Sequence, residues 1–189
     1  LLGLRRYKGA QIDVWQGDIT TFAVDAMTNA AQESLVGGFG VDGAIHRVGG
    51  PDILRECQKI GTCPTGSAVV TGAGQLPARF VIHAVGPIWS GGHKGERALL
   101  SSCYESVFDA FAGLSIRHLS IPAISTGAFG FPAELAAEIA FTTLKARLEA
   151  AQISQQLRFT FVAFDDSMYD VLQRRLFMEF ADELDADGF

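Results

Sequence analysis

The sequence predicts an α/β chain: a three-layer α/β/α arrangement on a mixed, mostly parallel central sheet. Three observations predict it. Short apolar runs alternate with longer stretches of helical periodicity along the whole chain. Several of those runs are apolar throughout, as strands are when helices cover both faces of their sheet. Glycine-rich loops follow two of the runs, at the strand ends where open α/β sheets bind ligands. With 189 residues, 48% hydrophobic and 19% charged, the chain is long enough for a sizeable core. It reads as one domain over 1–189, with an acidic tail after Asp182 that frays.

The elements follow in order. Residues 11–15 form a short strand closed by Gly17 and Asp18, and Thr20-Thr21 starts a short turn. Residues 24–28 are a continuous apolar strand leading into the first glycine loop. Residues 42–48 form a first helix, stopped by Gly49-Gly50, and Pro51 opens a second that ends before Gly61. Residues 67–71 and 80–85 are strands, and the polar loop 90–95 between the second of these and the next helix reads as mobile. Residues 96–112 place Cys103, Val107 and Phe111 at helical spacing. A strand at 118–121 leads into the second glycine loop, 125–130. Pro132 opens a helix, 158–164 is a Phe-rich strand, and 168–180 is a last helix. Neither a linker nor an internal repeat interrupts the pattern.

Composition narrows the function. A net charge of −6 and a pI of about 5.1 argue against a nucleic-acid surface. No apolar run is long enough to span a bilayer, and the opening Leu-Leu-Gly-Leu-Arg-Arg is too short for a signal peptide. The chain does not start with Met, which leaves an upstream segment open. Cys57, Cys63 and Cys103 form no C-x-x-C pair, as expected of a reducing, cytoplasmic setting. The four histidines show no zinc spacing.

The chemistry is concentrated in the glycine loops. Gly37, Gly38, Gly40 and Gly43 sit between a strand and a helix. Glycines let the backbone approach an anion, and amide groups at a helix N-terminus point at it, so the loop reads as a pyrophosphate cradle. Residues 38–43 also match G-x-G-x-x-G. A dinucleotide fingerprint needs an acidic residue about 20 positions on, and that region reads Gly-Thr-Cys-Pro-Thr-Gly instead. The approach through 29–36 is too long for that fold's tight turn, and no Walker sequence occurs.

Taken together, Gly17-Asp18-Ile19-Thr20, Asn29-Ala30-Ala31, the loop 37–41, Asp42-Gly43-Ala44-Ile45-His46-Arg47, Cys63-Pro64-Thr65-Gly66, Val85-Gly86-Pro87 and Ile121-Pro122-Ala123-Ile124-Ser125-Thr126-Gly127 resemble the macrodomain family. The chain looks most like the MacroD-type branch that includes bacterial O-acetyl-ADP-ribose deacetylases. The resemblance covers nearly the whole chain. It implies ADP-ribose, an ADP-ribosylated protein or O-acetyl-ADP-ribose as ligand, with neither cofactor nor metal. It implies that Asp18 accepts a hydrogen bond from the adenine amino group, with Ile19 beside it. It makes Gly37, Gly38, Phe39, Gly40 and Val41 one jaw of a diphosphate clamp, and Ser125, Thr126, Gly127, Ala128 and Phe129 the other. It lays Phe164 on the adenine; by position alone Phe164 reads as core. Phe131 reads as packing, and His46 as a member of a local hydrogen-bond network rather than a base.

In the hydrolytic branch a ribose-binding amide and a carboxylate flank the distal ribose. The carboxylate matches Asp42, which would orient a water; by sequence position alone it reads as a helix N-cap. The amide position departs from the family, whose motif is Asn-Ala-Ala-Asn where this chain has Gln32. Gln32 keeps the donor and acceptor and adds a methylene. Phe39 stands where the hydrolases usually have Gly. Two readings follow: a hydrolase of ester-linked ADP-ribose, and an ADP-ribose reader without turnover.

Overall fold

The computed structural model describes residues 3–153 and 155–180. Its strands are β1 (Leu4–Tyr7), β2 (Ala10–Gln16), β3 (Ala26–Ala30), β4 (Ala68–Gly72), β5 (Phe80–Ala84), β6 (His118–Pro122) and β7 (Leu157–Ala163). Its helices are α1 (Gly40–Gly49), α2 (Pro51–Ile60), α3 (Glu96–Gly113), α4 (Ala133–Ala150) and α5 (Asp166–Glu179). The strands form one sheet in the order β1-β2-β7-β6-β3-β5-β4. The pairs β2–β7, β7–β6, β6–β3 and β3–β5 are parallel, and only the edges β1–β2 and β5–β4 are antiparallel.

Period-two alternation divides the core between the sheet's faces. Ile12, Ala26, Ile82, Leu119, Ile121, Phe159 and Phe161 point to one face and pack under α3, α4 and α5. There Phe141 of α4 meets Phe161 at a ring-centroid distance of 4.4 Å. Met27, Val81 and Val162 point to the other face, against Ile45 of α1 and Ile53 and Cys57 of α2. A fully buried Ile or Phe contributes about 1.5–3 kcal/mol relative to leaving it exposed, so both layers hold the sheet.

Four local expectations change. β1 was not anticipated: its three polar-flanked residues after Leu4 show no apolar run, and it exists through its antiparallel register with β2, Leu4 opposite Asp13. α1 starts at Gly40, two residues before Asp42, with Phe39 in the N-cap position and no side-chain cap. α5 starts at Asp166 because Asp165 caps it, accepting from the Met168 N–H at 2.9 Å. The loop 90–95 is tied down: Glu96 accepts the N–H groups of Ser90, Gly92 and Lys94. The acidic tail lies outside the described residues.

Candidate functional site

The parallel strands β2, β7, β6 and β3 end on one edge of the sheet, and a cavity of about 570 Å³ opens there. Each strand end supplies one wall. After β2 come Gly17, Asp18 and Ile19; after β3, Ala31 and Gln32; after β6, residues 123–129; after β7, Phe164, Asp165 and Met168. The first turns of α1 close the remaining side with Phe39, Gly40, Val41, Asp42, Ala44 and Arg47.

Of the ligand-binding and catalytic residues that the resemblance implies, Gly37 and Gly38 alone do not line this cavity. They shape the loop. Gly37 has φ +90°, and a Cβ there would come within 3.2 Å of the His46 ring. A Cβ on Gly38 would fall 2.6 Å from Gln32 Nε2 and 3.2 Å from Asp42 Oδ2, so the Gln32 amide and the Asp42 carboxylate converge on the same bare stretch of backbone. Gly43 is needed for close approach, because a Cβ would strike the Gly38 carbonyl. On the opposite loop Ser125 adopts φ +68° although it is not glycine, and it is buried. Such a conformation is sparsely populated and held by its surroundings. Its N–H neighbours are shaped by two turns, Thr126 N–H to Ala123 and Gly130 N–H to Gly127.

Two of the three carboxylates in the wall, Asp18 and Asp42, differ. Asp18 is exposed and caps the turn that follows: one oxygen accepts from the Thr20 N–H at 2.9 Å and from its hydroxyl at 2.7 Å. The cap uses Oδ1 alone. Asp42 is 4% exposed. It is not an N-cap; it sits inside the first turn of α1, and its Oδ1 accepts from Asn29 Nδ2 at 2.8 Å. His46 Nε2 lies 3.5 Å from that oxygen, too far and misaligned for a hydrogen bond. Asp42 Oδ2 is buried with no partner among the described residues. Burial raises the Asp42 pKa, against the Asn29 hydrogen bond and the His46 charge, which lower it.

The aromatic residues separate cleanly. Phe164 is 79% exposed at the cavity rim, so the core placement suggested by its position does not hold. Phe39 is 92% exposed at the same mouth. Phe131 is buried and packs on Trp89, ring centroids 4.7 Å apart.

Sequence reasoning missed the layer beneath Asp42. Asn29, read only as part of a motif, is fully buried and contacts His83 as well as Asp42. The register of the parallel strands β3 and β5 sets Asn29 directly opposite His83 on one face; alternation in the sequence gives the face and not the pairing. The histidines are also less scattered than their spacing suggests, because one ligand atom each from His46, Cys57 and His83 lies within 4.8 Å of the others. Both His83 nitrogens are already engaged, by Asn29 and by Thr71, and burial pushes the Cys57 thiol up to about 11. A hydrogen-bonded core describes this cluster better than a metal centre.

A central sheet whose ligand-sized cavity is walled by two glycine-containing loops at its parallel strand ends defines the class of protein. The chain belongs to the macrodomain family: the family profile described as Macro domain matches residues 28–140. It is 48% identical over 170 residues to a protein of Pantoea vagans named O-acetyl-ADP-ribose deacetylase 1, covering 88% of this chain and 98% of that one. Among solved structures it resembles the Oceanobacillus iheyensis macrodomain with ADP, with TM-score 0.85, 35% identity, and 92% and 93% of the two chains covered. It also resembles a Trypanosoma brucei macrodomain in complex with ADP-ribose, with TM-score 0.80, 35% identity, and 86% and 68% covered. Among the described residues, no helix is long and apolar enough to cross a membrane.

Proposed function

We propose that this chain binds ADP-ribose in the strand-end cavity and hydrolyses its ester linkages, in O-acetyl-ADP-ribose and in proteins mono-ADP-ribosylated on acidic side chains. Family membership, the relative named for deacetylation and the neighbour solved with ADP-ribose support the ligand. The cavity volume of about 570 Å³ suits a nucleotide-sized molecule. In this reading Asp18 takes the adenine amino group on the oxygen its cap leaves free, and Phe164 stacks on the base. The loops around Gly40 and Ser125 hold the diphosphate with backbone amides.

One observation carries the hydrolytic half. Asp42 is a buried carboxylate with one oxygen tied and the other unpartnered at the cavity wall. A group so placed orients a water and accepts its proton as the water attacks the ester carbonyl. The acyl–oxygen bond then breaks, and the ribose hydroxyl leaves with a proton. Gln32, whose amide nitrogen lies over Gly38 beside Asp42, would hold the distal ribose.

A reader without turnover is the second reading. The extra methylene of Gln32 and the exposed ring of Phe39 both fall at the Asp42 end of the cavity. The test is turnover on O-acetyl-ADP-ribose and on a mono-ADP-ribosylated protein, run beside calorimetry with ADP-ribose. The hydrolase reading expects micromolar binding, worth about 8 kcal/mol, together with turnover. Tight binding with neither substrate cleaved makes the protein a reader, and no heat at millimolar ADP-ribose rejects both.

A further inference from the structure

We infer that His83 is a positioning residue for Asp42, acting through Asn29 along a one-way chain of hydrogen bonds that leaves Asp42 a single free oxygen. The kinetic consequence rests on the hydrolase reading above; the chain itself is testable without turnover.

The direction of every proton follows from the carboxylate. Asp42 Oδ1 accepts, so the Asn29 atom 2.8 Å from it is the amide nitrogen. That nitrogen faces His83 as a donor too, so Nδ1 is bare and Nε2 carries the imidazole proton. The Thr71 oxygen, 2.8 Å from Nε2, accepts that proton and gives its own to the Gly72 carbonyl at 2.8 Å, with Cys57 Sγ 3.8 Å from the same nitrogen. Nδ1 lies 3.1 Å from Asn29 Nδ2 and accepts from it. The second proton of that same amide nitrogen goes to Asp42 Oδ1 at 2.8 Å. Turning the Asn29 amide over would set its carbonyl against a carboxylate and against the nitrogen lone pair. The orientation is thus fixed by the carboxylate, which sets the tautomer in turn and leaves Asn29 Oδ1 buried without a partner among the described residues.

The chain needs a neutral His83. Burial first, then the neighbouring His46, push its pKa down to about 4, so it stays neutral through the physiological range. A protonated ring would present a donor to the Asn29 donor and release the amide. The strands make the geometry rigid: Asn29 and His83 are paired in β3 and β5, and Thr71 reaches His83 from the neighbouring β4. The outcome lies at the cavity wall. Oδ1 is held in place, and the carboxylate plane, with Oδ2 on it, cannot rotate without breaking the Asn29 bond.

Packing alone is the competing explanation, and two substitutions of nearly the same shape separate it from positioning. His83→Asn keeps an acceptor facing Asn29; His83→Leu fills similar space without one. The first readout is the Asp42 carboxyl titration, followed by carbon NMR. We expect His83→Leu to move it upward, as Asn29→Ala does, and His83→Asn to leave it near the wild-type position. Thr71→Val should move it the same way by less. The second readout is kinetic. We expect kcat to fall about tenfold or more in His83→Leu and largely to return in His83→Asn. The ADP-ribose Kd should change by less than about threefold, as it reads the rest of the cavity. If His83→Leu does not fold, Thr71→Val and His83→Asn carry the same comparison. Equal effects of Leu and Asn, or an Asp42 titration unmoved by Leu and by Val, overturn the inference. A wild type without turnover whose Asp42 titration still responds rejects the hydrolase reading and keeps the chain.

Discussion

Glu96 and Asp42 are equally hidden from water, at 2% and 4% exposure, and they are opposites. Burial pushes both carboxyls up. At Glu96 the N–H groups of Ser90, Gly92 and Lys94 outweigh burial, and the pKa falls to about 2. At Asp42 the hydrogen bond from Asn29 and the charge of His46 do not outweigh it, and the pKa is raised. Glu96 is saturated, and it ties a loop to the start of α3. Asp42 is left one partner short, facing a cavity. A carboxylate that serves the fold is given every donor it can use; one available for chemistry keeps an oxygen and a desolvation cost in hand.

The largest expected effect breaks the contrast outright. Asp42→Ala should lower turnover by about 10²- to 10⁴-fold, the usual worth of a positioned acid or base, and leave the ADP-ribose Kd nearly unchanged. A parallel loss of binding would mean Asp42 serves the pocket's shape instead. Asp18→Ala comes next. Losing a hydrogen bond to a charged acceptor costs about 1.5–3 kcal/mol, which is about a ten- to hundredfold rise in Kd by calorimetry. Part of any fall in thermal stability would then report the lost cap at Thr20. Gln32→Asn should raise kcat about tenfold, and Phe39→Gly should add to it without simple additivity, because both sites flank the same stretch of loop. A wild type as fast as Gln32→Asn would mean the longer amide already reaches the ribose.

The smallest effects are on stability, and their signs should differ. A raised folded-state pKa means Asp42 supports the fold below the ordinary carboxylate value of about 3.9, and that support is lost as pH rises through the raised value. Asp42→Asn should therefore melt higher than wild type at pH 7, with the gap closing on acidification. A depressed pKa means Glu96 supports the fold above about 4.3, and its support is lost as pH falls through about 2. Glu96→Gln should melt lower at pH 7, with its deficit shrinking towards pH 2. Melting curves of both variants at several pH values test the pair, and shifts of the same sign would remove the distinction.

What the sequence made legible was whatever repeats or clusters. Alternating apolar runs announced the layers, and the two loops with Asp18 between strand and turn announced the cavity. β1 was hidden because Arg5 and Arg6 carry no apolar pattern, and its pairing partner alone makes it a strand. Asp42 looked like a cap because capping and interior first-turn positions both favour Asp; the start of α1 at Gly40, with Phe39 at the cap, separates them. Phe164 could be placed on the cavity by resemblance and not by pattern, since a Phe closing an apolar strand looks the same whether it turns in or out. The link from Asn29 to His83 spans 54 residues, and pairing β3 with β5 in register is what brings them together.

The pairing of β2 with β7, Ala10 opposite Leu157, also bears on how the molecule is made. β2 leaves the ribosome well before β7, the strand it pairs with. Until about residue 163 has emerged, Asp18 and Phe164 have no common cavity to line, however well the middle of the chain has assembled. Contacts so distant in sequence slow folding, because a long loop must close before they are formed. The nascent chain therefore leaves one flank of β2 unpaired until β7 has been made, and ligand binding cannot assist folding before then.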